Sequence, residues 1–331
     1  MKKQKNFLII NMAYVGDVLI TSGLCQEIKN NYPDSKLLMI TTPASHQIAK
    51  NIPAVDEAYV FDKRGKDKGL LGMLKFVFNF KYRGKIDAAF IVHSYFRGVF
   101  LAFFLGCKRR IADYWLNKSS AFLLTDLLYK KPGERNPLNK VDNYANYISV
   151  LTSTELKEDI SYNCPQSAIE KARQMIVDEG YGDFKLIGLS TNSKLDIKDW
   201  NAVESAKFIE MVNKTGKKVV LTGTENAQAL AENIRKLGTT DFLDLTCKTD
   251  LEELAGVIHH CEAVVSVDTG SMHLSIALKK PTVCLFFMDL HEQWGPKRLE
   301  RSTVIYDPKA ISAEETFEKL EKLLLSVKQT F

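Results

Sequence analysis

The 331-residue sequence has no long hydrophobic run, no paired-cysteine pattern and no strong charge bias. No stretch reaches the roughly 18 to 20 apolar residues of a membrane span, and Asn11 interrupts the short apolar run behind the basic N-terminus, which argues against a signal peptide. The six cysteines form no C-x-x-C pair, so we expect reduced, mostly buried thiols in a cytoplasmic protein. A net charge of +5, from 45 basic and 40 acidic residues, does not favour nucleic acid as a partner.

Several nucleotide and metal motifs are also absent. No G-x-G-x-x-G follows the first apolar strand and no G-x-x-x-x-G-K-[ST] occurs, so dinucleotide-binding and NTPase functions are disfavoured. No acidic D-x-D triplet stands at a strand end, where it would hold a divalent metal beside a diphosphate. We therefore expect neither a cofactor nor a metal ion.

Short apolar strands alternate with helical stretches in both halves of the chain. Phe7–Met12 and Lys36–Thr41 are strand candidates in the first half, and Lys185–Leu189 and Lys217–Leu221 in the second. This alternation predicts an α/β protein with two Rossmann-like domains. We place the domains at residues 1–160 and 161–310, with a final amphipathic helix in residues 311–331.

The most informative stretch covers residues 263–286. An apolar run ends at Asp268-Thr269-Gly270, and a helical stretch begins at Ser271, followed by a second apolar run. Strand, tight turn, helix and strand make a βαβ unit, in which the helix start offers free N–H groups and a positive dipole end to a phosphate. His273 lies one helical turn beyond Thr269 on the same face, and although a lone helical histidine is more often structural, we favour a phosphate or sugar contact.

This stretch, with Trp294-Gly295-Pro296 downstream, closely resembles the donor-binding signature of the ADP-heptose:lipopolysaccharide heptosyltransferases, glycosyltransferase family nine. Aspartic proteases also carry Asp-Thr-Gly, but in an all-β fold. Further blocks resemble the family at Gly16-Asp17, at residues 86–111 and at Lys198-Asp199-Trp200. The resemblance implies the GT-B fold, in which an acceptor-binding domain and a nucleotide-sugar-binding domain face each other across a cleft, and in which the final helix packs back on the first domain.

The resemblance also implies roles for individual residues. Asp17 would be the general base, although the sequence alone, without the resemblance, favours a helix N-cap. Lys198 would hold the departing diphosphate, with Lys194 as a rival. The predicted donor-binding residues are Gly16, Thr191, Asn192, Ser193, Thr222, Gly223, Asp268, Thr269, Gly270, Ser271 and His273.

Two segments depart from the family pattern. His93-Ser94-Tyr95-Phe96 replaces the usual D-x-Q-G, while Arg97 keeps its place and is our candidate for contact with an anionic acceptor; the alternative is a surface charge. Residues 286–289 (Phe-Phe-Met-Asp) replace F-G-P-T, which leaves the identity of the donor sugar open. Basic and large apolar residues between positions 70 and 105 suggest a membrane-surface face, unless these helices simply pack on the sheet.

Together these features predict a metal-independent, inverting glycosyltransferase. It would move a heptose or related sugar from an ADP-linked donor to lipopolysaccharide or another anionic surface glycan, at the inner face of the cytoplasmic membrane. Two alternatives remain open: another GT-B nucleotide-sugar enzyme, such as an epimerase or one with a different donor, and a catalytically silent nucleotide-sugar-binding protein.

Overall fold

The computed structural model describes residues 4–93, 95–131, 138–153, 157, 159–193 and 199–330. The chain divides into two compact units, Met1–Tyr162 and Asn163–Phe331. Each unit contains a parallel sheet with flanking helices, so the predicted α/β class is confirmed. The division falls within the polar segment 152–165.

The first unit is built around a parallel sheet in the order β3-β2-β1-β4-β5-β6. Its elements are β1 (Asn6–Ile10), α1 (Val15–Ile20), α2 (Ser22–Asn31), β2 (Lys36–Thr41), α3 (His46–Lys50), β3 (Glu57–Val60), α4 (Gly69–Asn79), β4 (Ala88–Ile91), α5 (Tyr95–Phe104), β5 (Arg109–Asp113), β6 (Asp126–Leu128) and α6 (Lys140–Ala145). The two central strands, β1 and β4, are almost wholly buried, as the uninterrupted apolar runs in the sequence predict. Because the strands are parallel, the loops after β1 and β4 lie at the same edge of the sheet.

The first helical region starts earlier than predicted and is divided into two helices. The sequence predicts one helix from Val18 to about Asn30, whereas the structure has α1 and α2 with a break at Thr21. The Thr21 hydroxyl donates to the Asp17 carbonyl at 2.8 Å, and the Ser22 hydroxyl donates to the Leu19 carbonyl at 2.5 Å. Such hydroxyl-to-carbonyl bonds compete with regular helix geometry, which accounts for the break.

The second unit repeats the arrangement with the strand order β12-β11-β10-β7-β8-β9. Its elements are α7 (Gln166–Asp178), β7 (Leu186–Ser190), α8 (Ala202–Lys214), β8 (Lys218–Leu221), α9 (Glu225–Lys236), β9 (Leu243–Asp244), α10 (Leu251–His260), β10 (Cys261–Val267), α11 (Gly270–Ala277), β11 (Thr282–Phe286), α12 (His291–Trp294), β12 (Ser302–Tyr306) and α13 (Ala313–Thr330). The strand pairs β10–β7 and β7–β8 are parallel neighbours, so the loops that follow these three strands lie side by side.

The final helix packs within the second unit. Leu320, Leu323 and Leu324 of α13 belong to the same buried cluster as Trp200 and Phe208. The Trp200 indole N–H donates to the Ile311 carbonyl at 2.8 Å, just before α13 begins. The apolar face of α13 is thus covered by the core of its own unit.

Two further sequence expectations can be compared with the structure. In the described part of the chain, no helix is both long and apolar enough to cross a membrane. Cys25, Cys107, Cys261 and Cys284 are buried, in agreement with the prediction of mostly buried thiols, while Cys247 is exposed.

Candidate active site

The predicted donor-binding residues of the second unit lie at the carboxyl edge of its sheet. They occupy the loops after β7, β8 and β10, three strands that are neighbours in the sheet. In open parallel sheets this edge is where ligands bind. The structure thus brings together residues that are separated by up to about 80 positions in the sequence.

The loop after β7 is organised by Asp199. Its carboxylate accepts hydrogen bonds from the Asn192 side-chain amide and from the Ser193 backbone N–H, both at 2.7 Å. The Trp200 N–H donates to the Thr191 carbonyl at 2.9 Å and closes the loop. Thr191 is fully buried and donates to the Asn192 side chain, so it supports the loop from inside. Lys194 and Lys198, the two predicted cations, lie outside the described residues.

The turn after β8 requires a glycine. Gly223 has φ = +150°, a backbone conformation that residues with a side chain rarely adopt. A Cβ atom at this position would lie 2.4 Å from the Cβ of Ala227 on α9. Thr222, just before it, is buried and its N–H donates to the Leu189 carbonyl at 3.0 Å. The turn is therefore compact, and Gly223 has no side chain of its own to cover its backbone.

The Asp-Thr-Gly turn has the predicted geometry. Asp268 and Thr269 follow β10 directly, and Gly270 and Ser271 are the first residues of α11. Thr269 is the N-cap residue, but its side chain accepts no hydrogen bond from the helix. The hydroxyl and the first-turn N–H groups can therefore face an anion together. His273 is buried in the first turn of α11, and its N–H lies 3.4 Å from the Thr269 carbonyl.

The Trp294-Gly295-Pro296 tail is also explained by local geometry. Trp294 ends the short helix α12, and the Gly295 N–H donates to the His291 carbonyl at 2.8 Å. A Cβ atom on Gly295 would lie 2.2 Å from that carbonyl oxygen, so only glycine fits without a shift. Residues 286–289, which differ from the family pattern F-G-P-T, precede this tail. Phe286 is buried in β11 and Phe287 packs against the core.

In the first unit, Gly16 and Asp17 lie in α1, immediately after β1. Asp17 is the third residue of α1 and only 7% exposed. The alternative that Asp17 caps the helix is wrong, because α1 begins at Val15 and its N-cap residue is Tyr14. The backbone of Asp17 is fixed by Asn11, whose side-chain amide donates to the Asp17 carbonyl at 3.1 Å and to the Thr21 hydroxyl at 2.7 Å.

The carboxylate of Asp17 belongs to a three-residue cluster. The Tyr144 hydroxyl on α6 donates to Oδ1 of Asp17 at 3.0 Å, and Nδ1 of His93, which follows β4, lies 3.2 Å from the same oxygen. His93 Nδ1 is also 3.3 Å from the Tyr144 hydroxyl. Burial and the adjacent Asp17 carboxylate raise the pKa of Tyr144 well above its ordinary value, so the phenol stays protonated and acts as a donor.

Arg97 lies on α5 and is exposed, so the structure does not bring it into the Asp17 cluster. Its guanidinium lies 5.9 Å from the centre of the Phe96 ring, and both residues line a cavity of about 250 Å³ between α4 and α5 that also includes Leu70 and Phe100. Burial, and after it the charge of Arg97, lowers the pKa of nearby Lys63. The cavity therefore combines an apolar lining with a positive rim.

Sequence reasoning missed three residues that shape the Asp17 site: Asn11, Tyr144 and, as a contact of Asp17, His93. Asn11 and His93 both had a detectable signal: His93 is a polar residue directly after an apolar run, and Asn11 is a polar residue that interrupts the apolar stretch Phe7–Met12. Asn11 follows β1 directly in the structure. Tyr144 had none, since it lies 127 positions from Asp17. Among the described residues, no three His, Cys, Asp or Glu side chains are grouped so that they could hold a metal ion.

Two α/β units, each with a parallel sheet and polar loops at the carboxyl edge of that sheet, are typical of enzymes that act on phosphorylated ligands. The family model described as glycosyltransferase family 9 (heptosyltransferase) matches residues 84–324, and the chain belongs to that family. The resemblance read from the sequence is thereby confirmed, and the protein is a glycosyltransferase.

Individual relatives are similar to this protein over most of its length. It is 25% identical to lipooligosaccharide heptosyltransferase 2 of Haemophilus influenzae over 318 residues, which covers 91% of this chain and 88% of the relative. A glycosyl transferase family 9 structure from Veillonella parvula has a TM-score of 0.87 at 20% identity and covers 98% of this chain and 99% of its own. The structure of the Escherichia coli heptosyltransferase WaaC with ADP has a TM-score of 0.75 at 17% identity, with coverages of 96% and 99%. These structures share the fold.

Proposed function

We propose that this protein transfers a heptose or a related sugar from an ADP-linked donor to a lipopolysaccharide core or another anionic surface glycan. Membership of family 9 supports glycosyl transfer. The names of the relatives support the sugar and the acceptor class, and the ADP bound to one structural neighbour supports the adenine nucleotide. An epimerase is disfavoured because the family match is to transferases.

The observation that carries the proposal is the carboxyl edge of the second sheet. There the Thr269 hydroxyl and the first-turn N–H groups of α11 follow β10, and the tight Gly223 turn follows β8; only β7 lies between these two strands in the sheet. A helix N-terminus with a free hydroxyl suits a diphosphate, and the glycine turn allows the backbone to approach the nucleoside. Lys198 would add positive charge to the departing diphosphate, without a metal ion.

Asp17 is the proposed general base. The acceptor hydroxyl attacks the anomeric carbon while its proton moves to the Asp17 carboxylate, and the bond from that carbon to the ADP oxygen breaks. One in-line displacement of this kind inverts the anomeric configuration. Burial of Asp17, with a donor at 3.0 Å from Oδ1, holds the carboxylate in one orientation.

The acceptor side of the proposal is supported by the surface of α4 and α5. Leu71 and Phe78 on α4 are 83% and 65% exposed, and Arg83 lies 4.4 Å from the centre of the Phe78 ring. Further along, Arg110 approaches the exposed Phe103 at 5.7 Å. Exposed apolar side chains with adjacent cations suit the surface of an anionic membrane, and we propose peripheral contact through this face.

The test is acceptor-dependent release of ADP from ADP-heptose, in EDTA, with an anionic lipopolysaccharide-core glycolipid as acceptor. We expect wild-type turnover, and a fall in kcat of about 100-fold or more for Asp17→Asn, the ordinary range for loss of a general base. Asp113→Asn is the matched control, since Asp113 is also buried and is the last residue of β5 in the same sheet, and asparagine can still accept the N–H bonds of Trp115 and Leu116. Absence of transfer from any nucleotide sugar would overturn the proposal.

A further inference from the structure

His93 contributes an imidazole ring to the Asp17 cluster. Tyr144 remains protonated because burial and Asp17 raise its pKa, so it serves only as a hydrogen-bond donor. An imidazole, in contrast, can accept a proton at one ring nitrogen and release one from the other. The cluster therefore combines a carboxylate, a fixed donor and a proton carrier around one oxygen atom, Oδ1 of Asp17.

Burial differs between the two titratable partners. The side chain of Asp17 is 9% exposed, whereas that of His93 is 33% exposed. A carboxylate that has taken a proton at such a buried position exchanges slowly with bulk water. The imidazole 3.2 Å away offers a route from the buried oxygen to solvent.

The backbone holds His93 in this place. His93 has φ = +47° and Tyr95 has φ = +44°, both in the left-handed region that residues with a side chain rarely adopt. Such a backbone conformation is unfavourable for residues with a side chain and persists only where the surroundings impose it. On the far side of the ring, Nε2 of His93 lies 3.5 Å from the Tyr95 hydroxyl. The ring therefore bridges the buried Asp17 and the exposed Tyr95.

We propose that His93 is a positioning residue that also carries the proton away from Asp17. The proposal rests on the proposed function, with Asp17 as general base. Two proton transfers follow one another. The acceptor proton first reaches Oδ1 of Asp17 and then passes to Nδ1 of His93, which leaves a carboxylate and an imidazolium. The imidazolium releases its Nε2 proton to water, and the two neutral tautomers re-equilibrate through solvent. No oxidant, reductant or other co-reactant is needed.

The left-handed backbone at His93 allows two well-matched variants. Asparagine and glycine both tolerate this conformation, so neither His93→Asn nor His93→Gly strains the turn. Asparagine can still donate a hydrogen bond to Asp17 but cannot carry a proton. Glycine removes the ring and leaves space for added imidazole.

The experiment measures kcat and KM for acceptor-dependent ADP release by both variants, with and without imidazole. We expect kcat to fall at least about 10-fold in both variants with little change in KM for either substrate, and imidazole to restore His93→Gly in a saturable manner but not His93→Asn. A purely structural role would predict full activity for His93→Asn and no imidazole effect. Binding of ADP by each variant serves as the check on folding.

The parallel Asp17→Asn variant separates the two proposals. If Asp17→Asn is inactive while His93→Asn has wild-type kcat, or while His93→Gly gains nothing from imidazole, the relay is overturned and the general base stands. If Asp17→Asn retains wild-type kcat, the general-base assignment fails and the relay fails with it.

Discussion

The hydrogen bond between Tyr144 and Asp17 makes a quantitative prediction about stability. Tyr144→Phe keeps the ring, which is buried, and removes only the hydroxyl that lies 3.0 Å from Oδ1 of Asp17. Hydrogen bonds to charged groups contribute about 1.5 to 3 kcal/mol net. The substitution should therefore lower the free energy of opening of the first unit by that amount at pH 7, or about 10- to 150-fold in the opening equilibrium.

The stability contribution of Tyr144 should also depend on pH, in a direction that follows from its pKa. The pKa of Tyr144 is raised in the folded protein, first by burial and then by Asp17, so the native state holds the phenol proton more tightly than the unfolded chain does. This contribution to stability is fully present below the ordinary tyrosine pKa of about 10 and is lost as the pH rises above it. Tyr144→Phe has no phenol proton to lose at this position. The difference in the free energy of opening between wild type and variant should therefore become smaller above pH 10.

The assay is hydrogen exchange with mass spectrometry across a urea series, on peptides that cover α1 and α6 of the full-length chain. A double-mutant cycle with Asp17→Ala isolates the pairwise term, because each single variant removes one partner. We expect a coupling energy of about 1.5 to 3 kcal/mol. A coupling energy near zero, or a stability difference that widens above pH 10, would refute the assigned hydrogen bond.

Two further predictions concern the donor site and the membrane face. Gly223→Ala should weaken ADP binding, measured by calorimetry, at least about 10-fold. The reason is that the strain of φ = +150° and the 2.4 Å approach of the new Cβ to Ala227 displace the turn. Unchanged affinity would show that the turn does not touch the nucleotide. Leu71→Ser/Phe78→Ser, which alters only exposed side chains, should reduce cosedimentation with vesicles of anionic lipid several-fold; equal binding of variant and wild type, or equal binding to neutral vesicles, would argue against this face.

The parts of the fold that sequence reasoning could predict are those with strong local signals. Apolar runs such as Ala263–Val267 have no competing interpretation once a polar turn and a helix follow them, and β10, α11 and β11 lie close to the predicted bounds. Four strands, β5, β6, β9 and β12, were not predicted. β5 begins with two arginines, and β9 has only two residues, so their strand character comes from pairing with β4 and β8 rather than from the local pattern.

In the candidate site, too, some residues can be predicted from local sequence patterns and others cannot. Residues that follow strands, such as Asp17 and Asp268, can be found from the sequence because the carboxyl edge of a parallel sheet collects them. The partners of Asp17 cannot, since His93 and Tyr144 come from distant segments and reach one oxygen atom only in the folded unit. The N-cap alternative for Asp17 failed for a related reason: the helix begins at Val15, three residues before the predicted start at Val18.

The most direct test of the central claim is the anomeric configuration of the product. Wild-type protein, ADP-heptose and the anionic glycolipid acceptor are incubated in EDTA, and the new glycosidic bond is analysed by NMR. The account predicts transfer of the heptose with inversion at the anomeric carbon and loss of this product in Asp17→Asn. Retention of configuration, a strict requirement for a metal ion, or a full yield from Asp17→Asn would contradict it.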